Sequence, residues 1–370
     1  LLFARICRSP HPHAKIKSID VSAAKALPGV KAVVTGHDVN GMLGLYLIDR
    51  EIFCTDRVRY VGDPVAGVAA ITEEIAEKAV SLIKVEYEVL QPVLDPEFSA
   101  SAEAPLVHPK LGEYPVLNFI FPKPGTNIAN HFRVRKGDAD AAFKDCDAII
   151  ERKYRVPHIQ HVPIEPHVAV AKWDESDNIT LWGSSQSPFA QRNLIAKALN
   201  VSQGKIQVVA PYVGGGFGSK AGVSMEALAV AIAQKVKGRV VKLRMTREEE
   251  FYATFVRQGL IAYIKIGCKK DGTLMAMENR YYWDAGAYTE YGVNITRAGG
   301  YSSTGPIATT VPFLCMEQAY RMDHVRYNGY RIYTNKPPRG MIRIHGRAFA
   351  CGVDIQLDMI ADHLGIDPVE

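Results

Sequence analysis

The sequence lacks paired cysteines. Its six cysteines, Cys7, Cys54, Cys146, Cys268, Cys315 and Cys351, lie far apart and never form a Cys-x-x-Cys. That spacing argues against a disulfide framework, a structural zinc and an iron–sulfur cluster carried by this chain alone. The thiols read instead as small buried hydrophobes in a reducing compartment, so a cytoplasmic location is expected. Long apolar runs are also missing. None approaches the roughly 20 residues that cross a bilayer, and no membrane span is expected. No secretory signal is visible, although the chain opens without Met on Leu1-Leu2-Phe3-Ala4-Arg5-Ile6, which already reads as a strand. Charge is not concentrated either. The net charge is +5 and the basic residues are scattered, which argues against nucleic acid as the partner. A mildly positive pocket for an anionic ligand remains open. No internal repeat is evident.

What is present is mixed α/β patterning. The 370 residues suffice for two or three domains at roughly 100–200 residues each. Residues 1–100 read as one small α/β domain. Ser22 is expected to cap a short helix, followed by the strand VKAVVT. Thr72 is a natural N-cap, with Glu73 and Glu74 in the first turn, where the helix dipole favours negative charge. Ile75, Ala76, Ala79, Val80 and Ile83 then recur at helical spacing before the alternating strand IKVEYEVL. Residues 101–130 are rich in Pro, Gly and Asn and read as a linker crossing the surface. Residues 131–370 read as a second domain. It contains a hairpin with a turn at Asp174–Asn178, a helix over PFAQRNLIAKALNV, and a helix over SMEALAVAIAQKVKG ending on Gly238. Two later strands are joined by Lys270-Asp271-Gly272.

One stretch stands apart. APYVGGGFGSKAG runs from Ala210 to Gly222 between an apolar strand and a helix, with four glycines in five residues. It fails the Walker template, because Ser219 separates Gly218 from Lys220. It meets the dinucleotide fingerprint only loosely, and no acidic residue closes the next strand. Two readings remain: a tight turn packed under a helix, or a bare backbone whose amides converge on an anion or oxo group. The run HIQHVPIEPH carries His158, His161, Glu165 and His167. Side chains on a strand and turn alternate faces, so these are expected to be structural, with Glu165 satisfied by backbone or an arginine.

GGGFGSK resembles the GGGFGGK loop of the molybdenum hydroxylases, the xanthine oxidase and aldehyde oxidoreductase family. ARICRSPHPHAKIKSID, DRVRYVGDPVAGVAA, KGDADAAFKDCDAIIERKY, IEPHVAVA, SSQSPF, MTREEEF, DAGAY and YTNKPPRGMIRIHG resemble further blocks of that family, in the same order. The resemblance covers almost the whole chain. It implies an α+β fold: an N-terminal α/β hammerhead-like domain over 1–100, a linker over 101–130, and the first part of a molybdopterin-binding domain over 131–370. It also implies molybdenum held by a molybdopterin dithiolene, in part of the family extended as a cytosine dinucleotide, with no metal ligand from protein side chains. Iron–sulfur clusters and FAD are then expected on partner subunits.

The resemblance implies roles residue by residue. Gly215, Gly216, Phe217 and Gly218 match the loop against the metal's apical side, with backbone amides, including that of Phe217, donating to cofactor oxygens. Gln186 matches the glutamine that hydrogen-bonds a molybdenum oxygen ligand. Arg343 matches the arginine beside pterin and metal. Arg297 and His345 fall where some members contact substrate. Ala221 stands where purine oxidisers carry a substrate-binding glutamate, which weakens a purine reading. Ile344 replaces a usual glycine, which puts that loop's shape in doubt. The family's catalytic glutamate has no counterpart here, so a second molybdopterin-domain chain is expected to supply it. The implied reaction is oxidative hydroxylation with water as oxygen source. The substrate stays open among aldehydes, N-heteroaromatics, purines and aryl-CoA thioesters, the last as in a hydroxybenzoyl-CoA reductase. A non-catalytic scaffold subunit with a degenerate site is the reading from another class.

Overall fold

A computed structural model describes residues 1–118, 120–289, 320–340, 342 and 347–369. Among the described residues, two large sheets organise the chain. The first has seven strands. In spatial order they are Ile206–Val209, Ile179–Gly183, Val168–Trp173, Val240–Arg244, Leu2–Arg8, Pro64–Ala70 and Val30–Thr35. Residues from the first hundred and from beyond 160 thus share one sheet. The seam is parallel, with Leu2 opposite Val241 and Ala4 opposite Leu243. Pro64–Ala70 is buried along its whole length, which suits its unbroken run of small apolar side chains. The second sheet has five strands: Ala148–Val156, Leu260–Cys268, Leu274–Gly286, His324–Tyr333 and Ile128–Lys136.

Helices cover these sheets for local reasons. Glu73–Ser81 starts where Thr72 Oγ1 accepts from the Ile75 amide at 3.2 Å, as its sequence predicts. Pro188–Leu199 begins on a proline that needs no amide partner and ends on Asn200 in the left-handed region. Arg247–Tyr252 carries a full capping box between Thr246 and Glu249. Glu226–Gln234 is buried from Glu226 to Ala233, because ALAVAIA presents apolar or small side chains on every face and Glu226 is hydrogen-bonded to the Ser224 and Met225 amides and to Gln191. It packs on the seven-stranded sheet, within the largest apolar cluster.

Three expectations change in detail. Ser22 opens the short helix Ser22–Ala26 without capping it. The Asp20 carboxylate takes both the amide and the hydroxyl of Ser22 instead. The helix over SMEALAVAIAQKVKG stops at Gln234, and the Gly238 amide is drawn 2.8 Å from the Trp173 carbonyl of a neighbouring strand. Residues 101–118 and 120–127 are irregular and largely exposed, as a surface crossing is, but they are also pinned. Val107 and Leu111 are buried against Leu47, Ala285 and Tyr333, and the Asn127 carboxamide oxygen accepts from the Val107 amide at 2.8 Å.

That pinned stretch helps close a buried polar knot. Asp63 Oδ2 accepts from the Arg59 amide and from the Tyr288 hydroxyl, each at 2.8 Å. Its Oδ1 is buried without a hydrogen-bond partner. Burial pushes the Asp63 carboxyl up to about 6, against the pull of these donors and of the Arg59 charge. Beside it, His108 is buried, with Nε2 2.6 Å from the Ala287 carbonyl and Nδ1 3.0 Å from the Tyr114 hydroxyl. Burial, then the nearby Arg59 charge, hold its imidazole well below the usual histidine range.

Candidate functional site

Ile179–Gly183 and Ile206–Val209 are adjacent parallel strands, and Gln186 and the glycine loop follow their C-terminal ends. The carboxyl ends of parallel strands are where ligand crevices open in α/β sheets. The structure brings Gln186 and the loop into direct contact. Gln186 Oε1 accepts from the Gly218 amide at 2.9 Å and from the Lys220 amide at 3.3 Å. The Gln186 amide in turn donates to the Lys220 carbonyl at 2.8 Å. The side-chain oxygen is therefore fully used. The Nε2 group has no partner among the described residues, and the side chain is exposed.

Bare backbone is a geometric requirement here. A Cβ on Gly216 would stand 2.4 Å from Gln186 Oε1 and 2.6 Å from its Cδ. Gly218 adopts φ +115, a region that side-chain-bearing residues rarely enter. Phe217 takes φ +54 and is 60% exposed, an unusual state for a large apolar residue. The amides divide into two sets. Those of Gly214, Gly218, Ser219 and Lys220 are engaged within the protein. Those of Gly215, Gly216 and Phe217 make no hydrogen bond to the described protein. Gly218 thus shapes the loop, and the free donors lie just before it.

A largely buried ion pair and a buried histidine–carboxylate contact support this loop. Lys220 is fully buried, and its Nζ donates to the Glu165 carbonyl and to Glu165 Oε2, both at 2.7 Å. Glu165 Oε2 also accepts from the Gly214 amide at 2.8 Å and the Ser184 hydroxyl at 2.7 Å. The expected backbone contact of Glu165 is present, but its cation is a lysine rather than an arginine. Burial would raise the Glu165 carboxyl; the Lys220, Ser184 and Gly214 donors outweigh it and hold it low. The second pair joins His167 and Glu250, with Nδ1 2.8 Å from Oε1. His167 Nε2 reaches the Ser219 carbonyl at 3.1 Å.

The four residues of HIQHVPIEPH go separate ways. His158 lies 3.0 Å from Asp284 Oδ2, and both line a cleft of about 550 Å³. Lys336 meets the same oxygen at 2.8 Å. Burial opposes ionisation of Asp284, but the charges of His158 and Lys336 override it and hold the carboxyl far below the usual range. Among the described residues no group of three or more His, Cys, Asp or Glu is arranged to hold a metal. Arg297, Arg343 and His345, and with them Ile344, lie outside the described residues. Sequence reasoning gave His167 a structural role, which its buried contacts bear out, and overlooked the parts played by Lys220 and Glu250. Lys220 carried a signal, a lysine inside an apolar, glycine-rich run, where only a buried counter-charge makes it tolerable.

The residues present fit an anionic, oxygen-bearing cofactor. Three consecutive free amides, one unpartnered carboxamide nitrogen and a cradle that a Cβ would fill all face the same demand.

Comparison with known proteins gives a family. A model described as molybdopterin cofactor-binding domain matches residues 120–370. One described as aldehyde oxidase and xanthine dehydrogenase, a/b hammerhead domain, matches residues 1–91. The chain is 31% identical over 374 residues to the nicotinate dehydrogenase large molybdopterin subunit of Eubacterium barkeri, covering 100% of this chain and 81% of that one. It is 30% identical over 383 residues to the xanthine dehydrogenase molybdenum-binding subunit of Escherichia coli, covering 100% of this chain and 47% of that one. The aldehyde oxidoreductase structure from Desulfovibrio gigas overlays with a TM-score of 0.85 at 27% identity, over 99% of this chain and 39% of that one. Quinoline 2-oxidoreductase from Pseudomonas putida 86 gives 0.83 at 27%, over 99% and 45%. The chain therefore spans most of the first relative and less than half of the other three. With family models matching both regions and this identity to the first relative, the chain belongs to the aldehyde oxidase and xanthine dehydrogenase family of molybdopterin-binding oxidoreductases.

Proposed function

We propose that this chain forms the molybdopterin-facing part of a multi-subunit hydroxylase or dehydrogenase that oxidises an aldehyde or N-heteroaromatic carbon with water as oxygen source. One observation carries the reading: a glycine cradle with free Gly215, Gly216 and Phe217 amides, closed against a glutamine whose oxygen is used and whose nitrogen has no partner among the described residues. When bound, the pterin-held molybdenum supplies the two-electron oxidation. Gln186 would hold that group by donating its neutral N–H to one of its oxygens without adding a competing charge. The three free amides add dipoles that favour negative charge at a fixed place. The family resemblance assigns Arg343 to the pterin and Arg297 and His345 to the substrate, three residues that lie outside those described.

Ala221 packs against Phe255 and offers no carboxylate, which favours a nicotinate-like heteroaromatic or an aldehyde over a purine. Ile164, Phe189, Tyr212 and Phe217 stand exposed within three residues of Glu165, Gln186 or Gly214. Large exposed apolar side chains beside polar site groups suit a docking partner. We assign that partner to a second molybdopterin-domain chain, which brings the catalytic base and the contacts to a cytosine-dinucleotide tail. Iron–sulfur and FAD subunits carry the electrons away. The free thiols of Cys7, Cys54, Cys146 and Cys268 suit a reducing cytoplasm.

The test is to isolate the chain with its companion subunits and measure molybdenum and pterin per chain. Dye reduction is then followed with nicotinate, quinoline, xanthine and simple aldehydes in ¹⁸O-labelled water. Stoichiometric molybdenum, turnover and label in the product are expected. A complete complex devoid of molybdenum and pterin overturns the reading.

A further inference from the structure

Glycine-rich backbone has few side chains with which to hold its own shape, so whatever sets it must lie beneath. Ser219 is the link. Its amide and hydroxyl both donate to the Gly216 carbonyl, at 2.8 and 3.0 Å, tying it to the segment with the free amides. Its own carbonyl receives His167 Nε2 at 3.1 Å.

The partners of His167 settle its charge. A backbone carbonyl can only accept a hydrogen bond. An ionised carboxylate can only accept one as well. His167 Nε2 faces the Ser219 carbonyl, while Nδ1 lies 2.8 Å from Glu250 Oε1 and 3.1 Å from Oε2. Glu250 also receives the backbone amide of His167, so two N–H groups converge on Oε1, which favours the ionised acid. A neutral imidazole has one N–H and satisfies one of these neighbours. An imidazolium satisfies both.

The side chains of His167 and Glu250 are 1% and 0% exposed. A lone buried cation would be costly, and a hydrogen-bonded counter-ion offsets much of that cost. The other charged groups around the pair are accounted for. Lys220 is paired with Glu165. Glu226, on the packed helix, takes the amides of Ser224 and Met225 and the Gln191 carboxamide N–H. No further anion or cation is needed to balance His167.

We propose that His167 is a positioning residue, a buried imidazolium braced by Glu250, whose second N–H fixes the Ser219 carbonyl and with it the free amides of the glycine loop. This rests on the reading that the loop faces the molybdopterin cofactor. It reaches further, in giving a loop-setting task to a histidine that touches neither cofactor nor substrate.

Neutron diffraction from D₂O-exchanged crystals of the complex reads the charge directly. Deuterium on both Nδ1 and Nε2 of His167, with none on Glu250, is expected. One ring deuterium alone, or one on Glu250, overturns the imidazolium. The loop-setting task is read from molybdenum and pterin per chain in H167L, H167Q and E250Q complexes, alongside circular dichroism. H167L is expected to lose about ten-fold or more of the cofactor, as for residues that orient a ligand from behind. H167Q keeps an N–H for Ser219, and E250Q leaves a neutral ring whose Nε2–H still meets Ser219; both are expected to retain cofactor within about three-fold of wild type. Full cofactor in H167L, or a ten-fold loss in a folded H167Q, overturns the positioning role. If H167L fails to fold, H167Q decides. A wild-type complex without molybdenum would sink the proposed function and leave the neutron result standing.

Discussion

His108 and His167 are both buried, both bonded to a backbone carbonyl from a distant segment, and both surrounded by polar groups. Their remaining nitrogens face different chemistry. His108 Nδ1 meets the Tyr114 hydroxyl, which can donate, so a neutral ring satisfies both neighbours. His167 Nδ1 meets the Glu250 carboxylate, which cannot. The clusters around them follow suit. The Asp63 knot holds its acid poised toward neutrality, with one oxygen unpartnered. The glycine loop rests on complete ion pairs, Lys220–Glu165 and His167–Glu250. Polar groups in the knot join segments of the chain. Those under the loop hold charge in place beside a surface left open.

The contrast can be broken first at Gly216. A valine there puts its Cβ inside the Gln186 carboxamide, where nothing but movement of loop or glutamine makes room. Molybdenum per chain is expected to fall at least about ten-fold while the fold persists. Unchanged molybdenum by plasma mass spectrometry would reduce the loop to a turn.

Lys220→Met tests the ion pairs. It strands Glu165, whose side chain is 32% exposed, and removes two hydrogen bonds of 2.7 Å. Chemical denaturation should show a loss of about 2–4 kcal/mol, the range for breaking a largely buried pair. A loss near zero would mean that water replaces the lysine.

Asp63→Asn tests the knot, where the sign is opposite to that of an ordinary paired acid. The folded carboxyl titrates at about 6, above its unfolded value of 3.8. The protonated acid is therefore favoured by the fold. Its contribution is complete below about pH 4 and lost as pH rises through 6, by roughly 2–3 kcal/mol. Wild-type stability should show this decline, and the asparagine variant should lack it. An identical pH slope in both would remove Asp63 from the account.

Thr72→Ala lies in neither cluster and serves as the reference. Loss of one N-cap bond should cost about 1 kcal/mol in thermal or chemical melts and leave molybdenum content unchanged. A fall in molybdenum there would mean that the counts track general stability rather than the site.

Much of this was legible because it is local. The Thr72 cap, the Asp174–Asn178 turn and the order of strand, glycine loop and helix each sit in a short window of sequence. Family resemblance joined Gln186 to the loop, a pairing that spacing alone does not suggest. Long-range chemistry stayed hidden. Nothing near Glu165 announces a lysine 55 residues on, and nothing near Leu2 announces Val241. The helix after Met225 shows why a continuous pattern can mislead. Lys235, Val236 and Lys237 keep helical spacing, but the Gly238 amide finds a better acceptor on Trp173 than a further turn would give. The strand Ile128–Lys136 was missed because the Pro- and Gly-rich stretch before it sets the local composition.

The parallel seam between Leu2–Arg8 and Val240–Arg244 also governs how the protein is born. At translation rates of roughly 5–20 residues per second, the opening strand leaves the ribosome about 12–50 s before its partner exists. Throughout that wait one of its edges has no neighbour, although the other can already zip onto Pro64–Ala70. A nascent chain truncated near residue 100 should therefore associate with chaperones or with itself, and release from them should follow emergence of Arg244.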